Sequence, residues 1–206
     1  MKKQNIYNRV ALAILLAVEI ILFLSPFGYI RIGIFNITTL HLPVLIAALA
    51  LGWKAGMIAG LFFGCISIWN ATFFPNVTSF VFSPFIEVGG VHGNFTSLII
   101  ALVPRMLLGI SCAFFFQIFS KHLRQTKWNL LLASALATLI HTILVFFFIY
   151  IFFANAYANA TQIPSQALVA SFLGIFLTNG IAEIIVACII SMYIYPLLEH
   201  VKKRIL

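Results

Sequence analysis

Long apolar runs separated by short polar breaks set the pattern of this chain, and the lengths of those runs predict its elements. Six runs read as helices, at about Tyr7–Ser25, Leu40–Gly52, Ala55–Phe73, Ser97–Ser120, Trp128–Phe153 and Gln166–Leu198. They are continuous rather than alternating in polarity, so they suit lipid-covered helices and not the strands of a barrel. Crossing the hydrocarbon core of a bilayer takes about 20 helical residues. The run Leu40–Gly52 falls short of that, so part of the preceding loop, Pro26–Thr39, is expected to dip into the membrane.

The breaks are as informative as the runs. Gly52-Trp53-Lys54-Ala55-Gly56 is a tight turn, which makes the second and third helices antiparallel neighbours. The longest break, about Phe74–Thr96, carries Pro75, Pro84, Gly89, Gly90 and Gly93, yet also Phe80, Phe82, Phe85 and Phe95. A loop with its own apolar residues is expected to pack and to carry function rather than to serve as a solvated linker. Lys121–Lys127 is a basic loop, and Ala154–Ser165 reads as a small polar one. No internal repeat interrupts the pattern, and one membrane domain over residues 1–206 is expected.

Composition fixes the solvent. Of 206 residues, 63% are apolar and 8% charged, whereas a soluble domain carries about 25% charged residues. So little charge cannot make a water-facing surface, and lipid must cover it. The net charge of +8 does not point to nucleic acid, because the basic residues sit between apolar runs. Ten of the twelve fall on one side of a six-span topology: Lys2, Lys3 and Arg9; Lys54; Lys121, Arg124 and Lys127; Lys202, Lys203 and Arg204. Arg31 lies on the other side and Arg105 within the fourth helix. The positive-inside rule then puts both termini in the cytoplasm and the loops after helices one, three and five outside. The fold class is an all-α integral membrane protein of six transmembrane helices in the cell membrane. Ser25-Pro-Phe-Gly-Tyr29 lacks the small-x-small pattern of a signal-peptide cleavage site, so the first helix is expected to be retained. Cys65, Cys112 and Cys188 lie inside apolar runs at spacings that fit no zinc or redox motif and read as packing residues.

Candidate chemistry lies where polar groups sit at membrane depth. An ionisable residue inside a span costs a few kcal/mol or more unless it is paired or faces a cavity. The set is Glu19, Arg105, His141 and Glu183, with Asn179 and Asn70 as uncharged companions. At 1.5 Å per residue, Arg105 lies roughly 12 Å below the external end of its helix. His141 and Asn179 fall near the middle of theirs. Glu183 follows Asn179 by one turn on the same face. Asn70 and Trp69 sit at the external end of the third helix, and the aromatic loop supplies Phe80 and Phe82 as a cover. Together these residues are expected to line one hollow open to the outside. Two readings stand for Arg105: direct partner of an anionic ligand, or a structural element tied to Glu183 or to a carbonyl freed by Pro104. For His141 the choice is between a hydrogen-bonded packing residue and a ligand contact. For Glu183 it is between a helix tie and a contact. Ala13-x-x-x-Ala17 on the first helix would let another helix approach closely.

In their order along the chain, these motifs resemble the substrate-binding S components of energy-coupling factor (ECF) vitamin transporters. The resemblance rests on the length, the six spans and Ala13-x-x-x-Ala17. It rests further on the run Ile37–Gly52 followed by Lys54-Ala-Gly56, on Pro104-Arg105 with Gly109, and on Asn179-Gly-Ile-Ala-Glu183. It implies a subunit that is not an enzyme, uses no cofactor or metal, and captures a water-soluble vitamin or precursor from outside with high affinity. It implies partners too: a membrane coupling protein (the T component), contacted through Ala13 and Ala17, and two ABC ATPases. The external loops after helices one and three, with helices four to six, would form the pocket, which maps onto Phe80–Phe85, Arg105, His141, Asn179 and Glu183. Thr78–Pro84 and Val103-Pro-Arg105 are similar to the pantothenate-type branch. An arginine with amide and imidazole donors suits the pantothenate anion. Riboflavin, pyridoxine-type compounds and hydroxymethylpyrimidine stay open as substrates.

Two other classes compete. An intramembrane metalloenzyme would need Glu19, His141 and Glu183 to gather round a metal, and no His-Glu-x-x-His, Gly-x-Ser-x-Gly or paired aspartate motif accompanies them. A membrane assembly protein would bind no small molecule tightly. A channel would need a ring of identical charges, which nothing in the sequence suggests.

Overall fold

The computed structural model describes residues 2–32 and 35–205; Gly33 and Ile34, inside the expected loop Pro26–Thr39, and both terminal residues lie outside the described residues. The chain is built from α1 (Lys2–Leu24), a hairpin of β1 (Tyr29–Ile32) and β2 (Phe35–Thr38), α2 (His41–Leu51), α3 (Trp53–Phe73), a 3-10 turn at Ser79–Val81, and a short hairpin of β3 (Glu87–Val88) and β4 (Val91–His92). Then follow α4 (Phe95–His122), α5 (Thr126–Thr161), and a last span in which α6 (Leu168–Ile175), a π-helical turn (Phe176–Gly180) and α7 (Ile181–Ile205) run on without a break. Among the described residues, five helices are long and apolar enough to cross a membrane, α2 being the shorter sixth.

Helix α2 has 11 residues and reaches about 16 Å, half a span. It lies at the centre of the bundle, with every residue from His41 to Leu49 buried. The outer half of that layer is filled by the β1–β2 hairpin, antiparallel with Tyr29 opposite Thr38. A hairpin there satisfies its own backbone groups, which a bare loop at that depth would leave unpaired. Its end is fastened at both sides: Thr39 Oγ1 donates to the Phe27 carbonyl at 2.7 Å, and the Thr38 amide donates to Glu183 Oε1 on α7 at 2.9 Å.

Helices α3 and α4 pack through a stripe of small residues. Methyl groups built on Gly56, Gly60 and Gly64 of α3 would run into the backbone of Gly109, Arg105 and Ala101 of α4 respectively. The stripe repeats every four residues on antiparallel helices, so backbone meets backbone along two turns, as small-xxx-small faces do in lipid. An apolar core of α2, α3, α4, α5 and α7 fills the middle of the bundle, including Val44, Leu45, Phe63, Leu108, Leu130 and Ala187. A second cluster, with Phe80, Ile100, Ile149, Phe153, Leu168 and Phe172, sits under the external loop.

Two expected loops are structured. The segment 154–161 continues α5 across a kink at Phe153 (φ −135°, ψ 16°) instead of leaving the helix. Alanines at 154, 156, 158 and 160 favour helix, and Tyr157 and Ala158 are buried against the external cluster. The break before α4 is a packed cap. Asn76 Oδ1 accepts from the Thr78 amide, the Asn76 amide donates to Ser79 Oγ, and the hydroxyls of Thr72 and Ser83 bond at 2.7 Å. Asn94 then caps α4 by accepting from the Thr96 amide, while Ser97 Oγ accepts from the Asn94 amide.

Candidate functional site

A cavity of about 470 Å³ opens at the external end between the β1–β2 hairpin, α3, the cap and α4. That volume is within the range of small-molecule pockets, roughly 300–1,000 Å³. Its wall is half polar in character: Tyr29 and Thr38 come from the hairpin, Ser67 and Asn70 from α3, Asn76, Thr78, Ser79 and Phe82 from the cap, and Arg105 from α4.

Arg105 is the only charged side chain on that wall among the described residues. It is 7% exposed. Its guanidinium carbon lies 5.0 Å from the ring centre of Phe82 and 5.6 Å from that of Phe63, so two aromatic faces hold the cation. Nη1 donates to the Ile100 carbonyl at 2.6 Å. Pro104 has no N–H to offer that carbonyl, so of the two structural ties expected for Arg105 the bond goes to the carbonyl freed by the proline. Nε has no partner among the described residues. Arg105 is also within electrostatic reach of Tyr29 and Glu183, and Ser67 Oγ donates to the Phe63 carbonyl at 3.0 Å.

The cap is positioned by Phe80. Its side chain is fully buried, edge-on to Phe153 of α5 with ring centres 5.6 Å apart, and Ser97 Oγ donates to its carbonyl at 2.7 Å. Phe80 therefore anchors the turn from which Phe82, two residues on, reaches the cavity and Arg105.

Of the residues the sequence singles out, the cavity wall holds Arg105, Asn70 and Phe82. His141 is one layer deeper. It is 6% exposed, with its ring centre 6.3 Å from that of Phe63 and within electrostatic reach of Arg105 and His41. Glu183 is bound to the hairpin backbone, which makes it a tie between α7 and the hairpin. Asn179 stands in the π-helical turn, half-buried, off the cavity wall. Trp69 is 56% exposed, packs tilted against Phe73 with ring centres 4.4 Å apart, and lines an outer groove with Phe23 and Phe62. Ala13 and Ala17 are exposed on α1, the least buried of the long helices. Among the described residues no three His, Cys, Asp or Glu side chains gather as a metal site requires, so Glu19, His141 and Glu183 do not meet. The sequence reading misses Tyr29, Ser67 and His41. The first two reach the wall through the hairpin folding over α3, which no local pattern signals. A buried histidine opening a short helix is the signal for the last.

Comparison with known proteins places this arrangement. The sequence matches the family described as ECF transporter, substrate-specific component, over residues 9–195. It is 35% identical over 207 aligned residues to the pantothenic acid transporter PanT of Lactococcus lactis subsp. cremoris, covering 99% of this chain and all of that protein. It is 29% identical over 186 residues to the pantothenate transporter PanT of Leuconostoc mesenteroides subsp. mesenteroides, covering 86% of this chain and 84% of that one. The chain thus belongs to the substrate-specific components of ECF transporters: it is a multi-pass cell-membrane protein that binds the transported substrate and works with the coupling (T) subunit and ATPases of such a transporter.

Proposed function

We propose that this subunit captures pantothenate from the external side in the cavity floored by Arg105. The observation that carries the reading is one cation, clasped by two aromatic rings, on a wall made mostly of hydroxyls, amides and aromatic faces. Pantothenate is a carboxylate joined through an amide to two hydroxyls, and each part has a complement there. A carboxylate takes a charge-assisted bond from the guanidinium. Asn70, Ser67, Thr78 and Ser79 offer partners to the amide and hydroxyls. Phe82 covers the apolar carbons. The names of the two relatives support the same substrate. Riboflavin carries a wide planar ring system, and pyridoxine-type compounds and hydroxymethylpyrimidine carry no carboxylate for Arg105 to hold.

The remaining residues serve the site from behind. Phe80 holds the cap in register, Glu183 holds the hairpin, and His141 lies beneath the floor, with Asn179 in the π-helical turn off the wall. On the cytoplasmic half, the exposed Ala13 and Ala17 of α1 form the contact with the membrane coupling protein, which in turn engages two ATPases. Equilibrium binding to the purified full chain tests the reading. Pantothenate should bind, with riboflavin, pyridoxine and hydroxymethylpyrimidine failing to compete, and Arg105→Ala should weaken binding by roughly tenfold or more without loss of folding. Displacement by any of the three, or unchanged affinity in Arg105→Ala, removes the proposal.

A further inference from the structure

Arg105 bonds the one carbonyl that the residue before it leaves free. A guanidinium carries five donors on a flexible stem and, at membrane depth, will take any oxygen in reach. In a regular helix the carbonyls of its own turns are unavailable, because each accepts from the N–H four residues on. Pro104 breaks that rule at one point. It has no N–H, so the carbonyl of Ile100 is left without a helical donor. Arg105 Nη1 fills the vacancy at 2.6 Å, folding back along its own helix. This single bond fixes one edge of the guanidinium of a residue that also lines the cavity. From outside the helix, α3 presses against the same residue: a methyl at Gly60 would overlap the Arg105 carbonyl.

We infer that Pro104 is a positioning residue for substrate recognition. By withholding its N–H it leaves the Ile100 carbonyl as the anchor that turns Arg105 toward the anionic end of the substrate. The inference rests on the reading of Arg105 as the partner of an anion. In a Pro104→Ala variant the new N–H takes the Ile100 carbonyl, the helix gains a hydrogen bond, and Arg105 loses its anchor while keeping its charge.

The test uses the purified full chain and two probes: pantothenate, and pantothenyl alcohol, in which a hydroxymethyl group replaces the carboxylate. Wild type should prefer the anion. Pro104→Ala should lose at least about tenfold of that preference, with its affinity for the alcohol retained and its unfolding temperature unchanged or raised. Adding Pro104→Ala to Arg105→Ala should remove nothing further, because the two residues act through one interaction. A Pro104→Ala variant that keeps the full preference overturns the inference while leaving Arg105 as the anion's partner. One that loses both probes equally, or fails to fold, also overturns it, since the proline then shapes the helix and not the arginine. If wild type itself shows no preference for the anion, the reading of Arg105 and this inference fall together.

Discussion

The Thr38 amide donates to Glu183 Oε1 at 2.9 Å and so joins the external hairpin to the last helix, 145 residues away in the chain. Tyr29 and Thr38 are paired across that hairpin and both face the cavity. The bond therefore sets where one wall of the site stands relative to the bundle. Glu183→Ala leaves the amide without its acceptor, and losing a hydrogen bond to a carboxyl group at a largely buried position costs about 1–3 kcal/mol. Glu183→Gln keeps an acceptor oxygen at the same reach. The expected order in thermal unfolding of the detergent-purified chain is wild type, then Gln close behind, then Ala clearly lower. Substrate affinity should follow the same order. Equal midpoints for all three would mean that the hairpin is held elsewhere.

The glycine stripe makes a second prediction, about packing. Gly60 has no room for a methyl because the Arg105 carbonyl occupies that space, whereas nothing lies within 4 Å of a methyl at Gly174. Gly60→Ala must push α3 away from α4, at a cost in the overpacking range of about 1–3 kcal/mol. It should also shift Arg105 and weaken binding. Gly174→Ala should be neutral or slightly stabilising, since alanine restricts the unfolded chain. Thermal unfolding of the two single variants separates them. If Gly60→Ala is as stable as Gly174→Ala, the two helices are not in backbone contact.

Neighbours on one helix give a third prediction. Asn70 lines the cavity, while Trp69 turns to the outer groove and packs against Phe73. A step of one residue swings a helical side chain by about 100°, enough to separate inside from outside. Asn70→Ala should weaken pantothenate binding, and Trp69→Phe should leave it unchanged. Titration of both variants with the same ligand checks this, and the reverse result would put the substrate in the outer groove.

The outline of the fold is legible in the sequence, because lipid demands long apolar runs and the basic loops mark one side. What is not legible has local causes. The segment 154–161 carries Asn155 and Asn159 and reads as a polar turn, but its alanines keep it helical and Tyr157 and Ala158 find an apolar cluster. The hairpin strands are 4 residues each, too short for alternation to stand out against aromatic loop residues. Depth alone identifies Arg105, and loop aromaticity points to Phe82. Neither signal reaches Tyr29 or Ser67, whose place on the wall comes from a hairpin folding over α3, a contact no local pattern encodes. Gly56-x-x-x-Gly60-x-x-x-Gly64 is a small-residue stripe, masked in the sequence because Gly56 also closes the turn before it.

The final prediction concerns coupling. Ala13 and Ala17 are both exposed on α1, four residues apart and so on one face of the helix. Leu12, Leu15 and Leu16, by contrast, pack against the core, and Glu19 is fully buried. Small side chains on the outward face cost the isolated subunit nothing when replaced, yet they set how near a partner helix can come. Ala13→Trp and Ala17→Trp should therefore leave substrate affinity and unfolding temperature at wild-type values. Assembly with the coupling protein and ATPases should be lost, and with it uptake into cells or proteoliposomes. Binding, stability and uptake measured on the same two variants distinguish this from a general defect. A tryptophan variant that still supports uptake at the wild-type rate would show that the coupling protein approaches by another face.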